Sequence, residues 1–171
     1  MGDRGLARPK NYGNIQMKKV AFITGITGQD GSYLSEHLIA QGYDVHGIIR
    51  RQSTAENQES RLDHISESLQ TYYGDLSDVP SLAKLIATIK PTHIFNLGAM
   101  SHVRISFDVP SYTIQTNAVG VLNLLEVYRE FAPEAKFYQA SSSEMFGRMV
   151  ENPAKESTPF YPRSPYGISK L

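Results

Sequence analysis

Short apolar runs and longer amphipathic stretches alternate along this chain. Five of the runs are rich in β-branched and aromatic residues, and they predict strands. Between them, apolar residues recur every three or four positions, a pattern typical of helices that lay one face on a sheet. Strands that alternate with helices indicate an α/β fold with a parallel sheet. The predicted strands are residues 19–24, 43–49, 69–73, 93–96 and 136–140.

Three helical patterns stand between these strands. The first ends near Gln41–Gly42, where glycine suits a C-terminal cap, and the second is stopped by Pro91. The second pattern starts at Ser77 or Asp78 and is apolar at Leu82, Leu85, Ile86 and Ile89. The third runs from Tyr112 to Phe131 and is expected to pack through Ile114, Ala118, Val121, Leu122, Leu125 and Val127.

The remaining segments lack a clear period. Residues 1–17 are polar and predict a mobile leader, and residues 61–65 suggest a short helical turn. The segment from Ser101 to Pro110 is expected to be irregular. Within it, His102 has no second His, Asp or Glu at ligand spacing, so we expect a structural histidine and no metal site.

A glycine-spaced turn, Gly25-Ile26-Thr27-Gly28-Gln29-Asp30-Gly31, joins the first strand to the first helix. Gly25 permits a tight turn, Gly28 leaves room for a pyrophosphate, and Gly31 lets the helix approach the strand. Glycines also mark ordinary turns, but a strand before and a helix after favour phosphate binding at a helix N-terminus. We therefore predict a Rossmann-like, doubly wound parallel sheet with a diphosphate at residues 28–31.

Residues that follow the second and third strands bear on the choice of dinucleotide. Arg50 and Arg51, followed by Gln52-Ser53-Thr54, stand where NAD-specific folds carry an acid for the ribose hydroxyl. Guanidinium and hydroxyl groups suit a 2′-phosphate, which favours NADP; the alternative is a solvated basic loop. After the third strand, Asp75 can accept a hydrogen bond from adenine while Leu76 covers the ring, or Asp75 can merely shape the turn.

Composition narrows the class of protein. The 171 residues are 40% hydrophobic and carry 17 Lys+Arg against 17 Asp+Glu. The chain therefore has no net field that would favour nucleic acid or an anionic membrane. It has no cysteine, which excludes disulfides and thiolate chemistry and favours a reducing compartment. No apolar run suits a signal peptide or a membrane span, and we expect a cytoplasmic protein.

The candidate chemistry follows the fifth strand. Ser142 and Glu144 place a hydroxyl and a carboxylate at the carboxyl edge of the sheet, and Tyr166 and Lys170 stand at i and i+4 on one helix face. A nearby ammonium favours the phenolate, so Tyr166 can act as a general base on a sugar hydroxyl. The alternatives are a surface Tyr–Lys pair and, for Glu144, a helix-start acid. A carboxylate there suits proton removal beside a new ketone.

With these motifs in place, residues 18–171 resemble the extended short-chain dehydrogenase/reductase family, and within it the GDP-mannose 4,6-dehydratases. The stretches that carry the resemblance are residues 25–34, 42–47, 96–103, 138–141 and 158–167.

The resemblance implies a role for each candidate residue. Tyr166 would be the base for oxidation at sugar C4, while Lys170 would bind the nicotinamide ribose and tune Tyr166. Glu144 would remove the C5 proton and help water leave from C6, and Ser142 would contact the 4-hydroxyl. NADP⁺ would take hydride from C4 and return it to C6, so that GDP-mannose becomes GDP-4-dehydro-6-deoxy-mannose. The implied cofactor contacts, besides Tyr166 and Lys170, are Gly25, Thr27, Gly28, Gln29, Asp30, Gly31, Arg50, Asp75, Leu76, Leu97, Gly98, Ala99, Met100, Ser101 and Tyr112.

Two positions depart from the family pattern. Members usually have threonine where Ser142 stands and glutamine where Met100 stands. Serine keeps the hydroxyl, so we expect Ser142 to serve, whereas Met100 lacks a side-chain amide for any polar contact.

The resemblance also bears on domain organisation. It implies that residues 18–171 form an incomplete NADP-binding Rossmann domain, that a C-terminal nucleotide-sugar domain is absent, and that the full-length protein is a homo-oligomer, a dimer or tetramer. A helix that carries Tyr166 and stops at Leu171 is too short to persist alone.

Three interpretations remain open on the sequence. The chain is the front part of a working dehydratase, an inactive NADP-binding fragment, or part of another nucleotide-sugar enzyme such as a 4-epimerase or a different dehydratase. Glu144 argues against an epimerase, and residues 159–165 argue against the other dehydratases.

Overall fold

A computed structural model of the protein describes residues 18–50 and 61–171. In these ranges five strands form one sheet: β1 (Val20–Thr24), β2 (Asp44–Ile49), β3 (Leu69–Tyr73), β4 (His93–Asn96) and β5 (Lys136–Gln139). The α-helices are α1 (Gln29–Ala40), α2 (Val79–Ile89), α3 (Val103–Asp108), α4 (Pro110–Ile114), α5 (Gly120–Phe131) and α6 (Pro165–Lys170). A π-helical segment, Gln115–Val119, joins α4 to α5, and 3₁₀ turns span Asp63–Ser68 and Ser143–Met145.

The strands are all parallel and lie in the order β3-β2-β1-β4-β5. The order reverses between β1 and β4, and ligands of such sheets bind at the carboxyl ends of the strands beside that reversal. Successive residues of β1 face opposite sides, so Phe22 enters one apolar core and Ile23 the other. Two cores on two faces are what a doubly wound sheet requires, and this confirms the predicted fold class.

The predicted elements agree closely with the structure. The bounds of β3 and β4 are those predicted, and the other three strands differ by one residue at an end. The turn predicted at residues 61–65 overlaps the 3₁₀ turn Asp63–Ser68. The predicted leader, residues 1–17, and the predicted NADP-selective residues 51–54 lie outside the described residues.

The expectation of an irregular segment from Ser101 to Pro110 was wrong, because α3 forms within it. The His102 side chain caps this helix: its Nδ1 accepts a hydrogen bond from the Ile105 N–H at 3.3 Å. Histidine is not among the usual capping residues, so the segment carried no recognisable start signal. The cap is also the structural role expected for His102.

The helical pattern over residues 112–131 was only partly right. Helical structure starts earlier, at Pro110, and the π-helical segment adds a residue to one turn, which rotates the buried face. Leu124, which the pattern omitted, is fully buried, whereas Leu122 is 56% exposed and Leu125 is 38% exposed. Of the six residues expected to pack, only Val127 is fully in the core.

Membrane-spanning helices and metal-binding clusters are both absent from residues 18–50 and 61–171. No helix there has the length and apolar character needed to cross a bilayer. Nor do His, Asp and Glu side chains gather in those ranges in a group of three or more that could hold a metal ion.

Candidate active site

The turn between β1 and α1 is fixed by glycines that contact neighbouring backbone. Gly25 has a φ of +69°, which L side chains rarely adopt, and a Cβ on it would lie 2.8 Å from the Gly98 nitrogen. The Gly28 N–H donates to the Gly25 carbonyl oxygen at 3.0 Å and closes the turn. The turn after β1 therefore lies directly against the loop after β4.

Gly31 is required for packing of the helix against the strand. A Cβ on Gly31 would lie 2.3 Å from the Gly25 carbonyl oxygen and 2.7 Å from the Ile26 Cα. This is the close approach of helix and strand that the sequence predicted. Gly28 is less crowded, since a Cβ there would meet only the Gly25 oxygen, at 3.2 Å. The space above Gly28 is open to a ligand.

A cleft of about 260 Å³ opens at the carboxyl ends of the strands, above this turn. It lies beside the reversal in strand order, where a dinucleotide is expected. Ten of the predicted cofactor contacts line it: Gly25, Thr27, Gly28, Arg50, Asp75, Leu76, Leu97, Gly98, Ala99 and Ser101. The predicted contacts outside its lining are Gln29, Asp30, Gly31, Met100, Tyr112, Tyr166 and Lys170.

The lining also includes four residues that the sequence did not single out: Thr24, Ile48, Gly74 and Thr116. Thr24, Ile48 and Gly74 lie at or close to the carboxyl ends of strands, so the rule that ligands meet those ends would have found them. Thr116 belongs to the π-helical segment. Its position depends on a helical irregularity that no sequence pattern indicated.

Arg50 and Tyr112 meet beside the cleft. The Arg50 guanidinium donates a hydrogen bond to the Tyr112 hydroxyl, so the residue after β2 is joined to α4. Asp75 shapes the turn after β3, which is one of the two roles predicted for it. Its Oδ1 accepts a hydrogen bond from the Ser77 N–H at 2.8 Å and another from the Ser77 hydroxyl at 2.7 Å. Asp75 nevertheless lines the cleft, so both roles remain compatible.

The segment after β5 carries Ser142 and Glu144 on a 3₁₀ turn. The Ser142 hydroxyl accepts a hydrogen bond from the Glu144 N–H at 3.1 Å and caps the turn. Its own proton stays available to donate to a ligand, because the oxygen acts here only as an acceptor. Both side chains are half-buried.

Helix α6 has only six residues and begins with a side-chain cap. Ser164 caps it by accepting from the Gly167 N–H at 2.9 Å, and Pro165 occupies its first turn. Tyr166 is only 8% exposed. The Lys170 Nζ lies 5.9 Å from the centre of the Tyr166 ring, so the two side chains share one face of the helix as predicted.

The Lys170 ammonium is partly withdrawn from water. It donates to the Ala140 carbonyl oxygen at 3.0 Å, which places it at the end of β5. Burial lowers the pKa of Lys170, because desolvation disfavours the charged form. This ammonium is therefore a nearby positive charge for Tyr166 and gives up a proton more readily than a surface lysine.

Gly167 brings the 3₁₀ turn and α6 together. A Cβ on Gly167 would lie 2.6 Å from the Glu144 carbonyl oxygen, so only glycine permits the observed contact. The backbone of Glu144 therefore packs against the helix that carries Tyr166 and Lys170. Gly167 was not among the site residues predicted from the sequence, although a glycine beside a candidate catalytic tyrosine is a signal of close approach.

Asn117 is a second functional candidate that was not predicted from the sequence. It is 2% exposed and lies in the π-helical segment. Its Oδ1 accepts from the Met100 N–H at 2.7 Å, and its Nδ2 donates to the Met100 carbonyl oxygen and to the Ser169 hydroxyl, both at 3.0 Å. The loop after β4 is thereby tied to α6. Met100 is held through its backbone, so its departure from the family pattern does not disturb this link.

The sheet order, the glycine turn and the Tyr166–Lys170 pair define a Rossmann-type domain of the short-chain dehydrogenase/reductase class. Within this class, the family described as "GDP-mannose 4,6 dehydratase" matches residues 22–171. The chain belongs to that family.

Known relatives agree with this assignment. The GDP-mannose 4,6 dehydratase of Homo sapiens is 48% identical, over 99% of this chain and 46% of the relative. The enzyme of Vibrio cholerae is 51% identical, over 91% of this chain and 44% of the relative. The chain thus spans less than half the length of these relatives. Among solved structures, the UDP-glucose 4-epimerase of Thermus thermophilus in complex with NAD is similar, with 27% identity and a TM-score of 0.76 over 88% of this chain and 47% of that one.

Proposed function

We propose that the full-length protein to which these residues belong is an NADP-dependent lyase that converts GDP-mannose to GDP-4-dehydro-6-deoxy-mannose by removing water. The observation that carries the proposal is the family match over residues 22–171, together with relatives of that name at about half identity. Glu144, Tyr166 and Lys170, the residues that this reaction needs, stand together at the end of β5 and on α6.

The described residues fit a dinucleotide. The Cβ positions of Gly25 and Gly31 are filled by protein backbone. A Cβ on Gly28 would contact only the Gly25 carbonyl oxygen, and Gly28 lines the cleft, where a diphosphate can approach the backbone. Arg50 would hold the 2′-phosphate that distinguishes NADP from NAD. NADP⁺ would supply a hydride acceptor for C4 of the sugar and a hydride donor for C6.

Tyr166 would take the proton of the 4-hydroxyl as hydride leaves C4. Only the phenolate form can accept that proton, and a neighbouring positive charge favours the phenolate over the neutral phenol. Lys170 supplies that charge from one helical turn away, and Ser142 would hold the 4-hydroxyl. The low exposure of Tyr166 keeps water from competing for its proton.

Glu144 would then remove the C5 proton. Oxidation at C4 makes that proton acidic, because the resulting carbanion is conjugated with the ketone. The same carboxyl group would return a proton to the departing 6-hydroxyl, so that water leaves. When hydride returns to C6, C5 would regain a proton, which balances the proton that Tyr166 took from the 4-hydroxyl. A 4-epimerase has no need of this carboxylate, which is why Glu144 favours dehydration.

The test is to incubate the purified full-length protein with GDP-mannose or UDP-glucose, each with NADP⁺ or NAD⁺. We expect a 4-keto-6-deoxy sugar from GDP-mannose with NADP⁺. The rate with NAD⁺ should be at least tenfold lower, since a lost charge-assisted contact costs about 1.5–3 kcal/mol. Mass spectrometry of the sugar nucleotide detects the loss of water. An epimerised UDP-sugar with no loss of mass, or no reaction of GDP-mannose, would contradict the proposal.

A further inference from the structure

We propose that Gln139 is a positioning residue for Lys170. A directed chain of hydrogen bonds, which runs through the buried side chains of Thr24 and Asn96, fixes the Gln139 amide on the Ala140 carbonyl group, and this carbonyl group holds the Lys170 ammonium. The catalytic meaning of this contact rests on the proposed function, because that is where Lys170 has its role. The contact itself does not, and it is tested without substrate.

The chain of hydrogen bonds starts from a group that can only donate. The Gly98 N–H donates to the Thr24 hydroxyl oxygen at 2.9 Å. The Thr24 hydroxyl in turn donates its proton to the Asn96 Oδ1, at 2.5 Å. This leaves the Asn96 amide nitrogen as the donor toward the next strand.

The direction continues across β5. The Asn96 Nδ2 donates to the Gln139 Oε1 at 2.7 Å. The Gln139 NH₂ group must therefore point the other way. It donates to the Ala140 carbonyl oxygen at 2.9 Å, and the Lys170 Nζ donates to the same oxygen at 3.0 Å. Gln139 and Lys170 thus share the Ala140 carbonyl oxygen as acceptor. The orientation of the Gln139 amide is determined by Thr24 on β1, two strands away.

Strand register explains why these side chains meet. Thr24 lies opposite Asn96, and Asn96 lies opposite Gln139, so the three residues form a polar row across three parallel strands. The row two residues earlier is apolar and consists of Phe22, Ile94 and Phe137. An apolar row would avoid the cost of burying amides, so stability alone does not call for polar residues at this level.

The polar row is fully satisfied. Thr24 and Asn96 are fully buried, and no buried side-chain nitrogen or oxygen in the described residues lacks a hydrogen-bond partner. A satisfied row is rigid, since each amide has one allowed orientation. The row of hydrogen bonds ends at the Ala140 carbonyl group. The polypeptide continues from Ala140 to Ser142 and Glu144.

The test is competitive acetylation of lysines by acetic anhydride, followed by mass spectrometry, with exposed Lys84 as the internal standard. Gln139→Met removes the side-chain amide that donates to the Ala140 carbonyl oxygen. The carbonyl group is then no longer held in place for the Lys170 ammonium, so we expect Lys170 to react at least threefold faster than in the wild type. In Gln139→Glu a carboxylate faces the ammonium, so we expect Lys170 to react at least threefold more slowly. Gln70→Met and Gln70→Glu, at an exposed position on β3, are the matched controls and should change nothing.

Lys170 reactivity within twofold of the wild type in both folded Gln139 variants would overturn the inference. Thermal unfolding establishes whether the variants fold. If neither does, nuclear magnetic resonance of the wild type decides: acetylation of Lys170 should shift the Gln139 side-chain amide signals and leave those of Gln70 in place. Unshifted Gln139 signals would overturn the inference. Neither readout depends on turnover, so a protein without dehydratase activity would refute the proposed function and leave this result standing.

Discussion

Glu144→Gln is expected to stop dehydration while the protein still binds GDP-mannose and oxidises it at C4. Glutamine keeps the size of the side chain and the backbone contact with Gly167, but it cannot accept the C5 proton. General acid–base groups contribute about 10²- to 10⁴-fold, so the turnover rate should fall by that factor. Because C4 oxidation does not use Glu144, the absorbance of reduced nicotinamide should accumulate on mixing.

The matched control for this variant is Glu156→Gln. Glu156 is an exposed carboxylate on the loop between β5 and α6, and the same substitution there should leave turnover within twofold of the wild type. Full turnover in Glu144→Gln would remove Glu144 from the mechanism. Lost binding of GDP-mannose would instead show that the carboxylate holds substrate.

Gly31→Ala is expected to destabilise the domain by about 3 kcal/mol or more, as overpacking against backbone does, and to abolish NADP⁺ binding. Alanine normally gains about 1 kcal/mol over glycine within a helix. Here its Cβ would lie 2.3 Å from the Gly25 carbonyl oxygen, and backbone atoms cannot rotate away, so α1 must leave the turn. Urea unfolding monitored by circular dichroism measures the change in the free energy of unfolding.

Gly28→Ala, three residues earlier, should separate folding from binding. Gly28 has a φ of -70° and a ψ of 171°, in the extended region. Alanine adopts this conformation freely. A Cβ there would meet only one atom, at 3.2 Å. We expect a stability change below about 1 kcal/mol, as for alanine at other compatible glycine positions.

NADP⁺ affinity should fall at least tenfold, because the methyl group occupies space that a pyrophosphate needs. Equal stability of the two variants would contradict this assignment of the turn.

The strands and the first two helices could be predicted because local patterns determine them. The apolar runs of β3 and β4 end at Gly74 and Leu97–Gly98, and Pro91 follows the end of α2, so both strands were predicted at their observed bounds. The third helix could not be predicted in the same way. Its π-helical segment, Gln115–Val119, breaks the 3.6-residue period and thereby exchanges Leu122 for Leu124 in the core.

The candidate site was predictable where its chemistry is local in sequence. The glycine turn and the Tyr166–Lys170 pair each lie within one short motif, and the structure forms both as expected. Asn117 and Gln139 act through partners on other elements, at sequence separations that no single motif spans. Those contacts depend on strand register and on the helix irregularity, which a linear pattern does not contain.

Deuterium labelling follows the hydrogen that the proposed reaction moves from C4 to C6. The full-length protein is incubated with NADP⁺ and GDP-mannose that carries deuterium at C4, and the product is analysed by nuclear magnetic resonance. We expect a 4-keto sugar with the deuterium in its C6 methyl group, since the hydrogen taken from C4 is returned to C6. A product that keeps its 6-hydroxyl group, or a methyl group without deuterium, would contradict it.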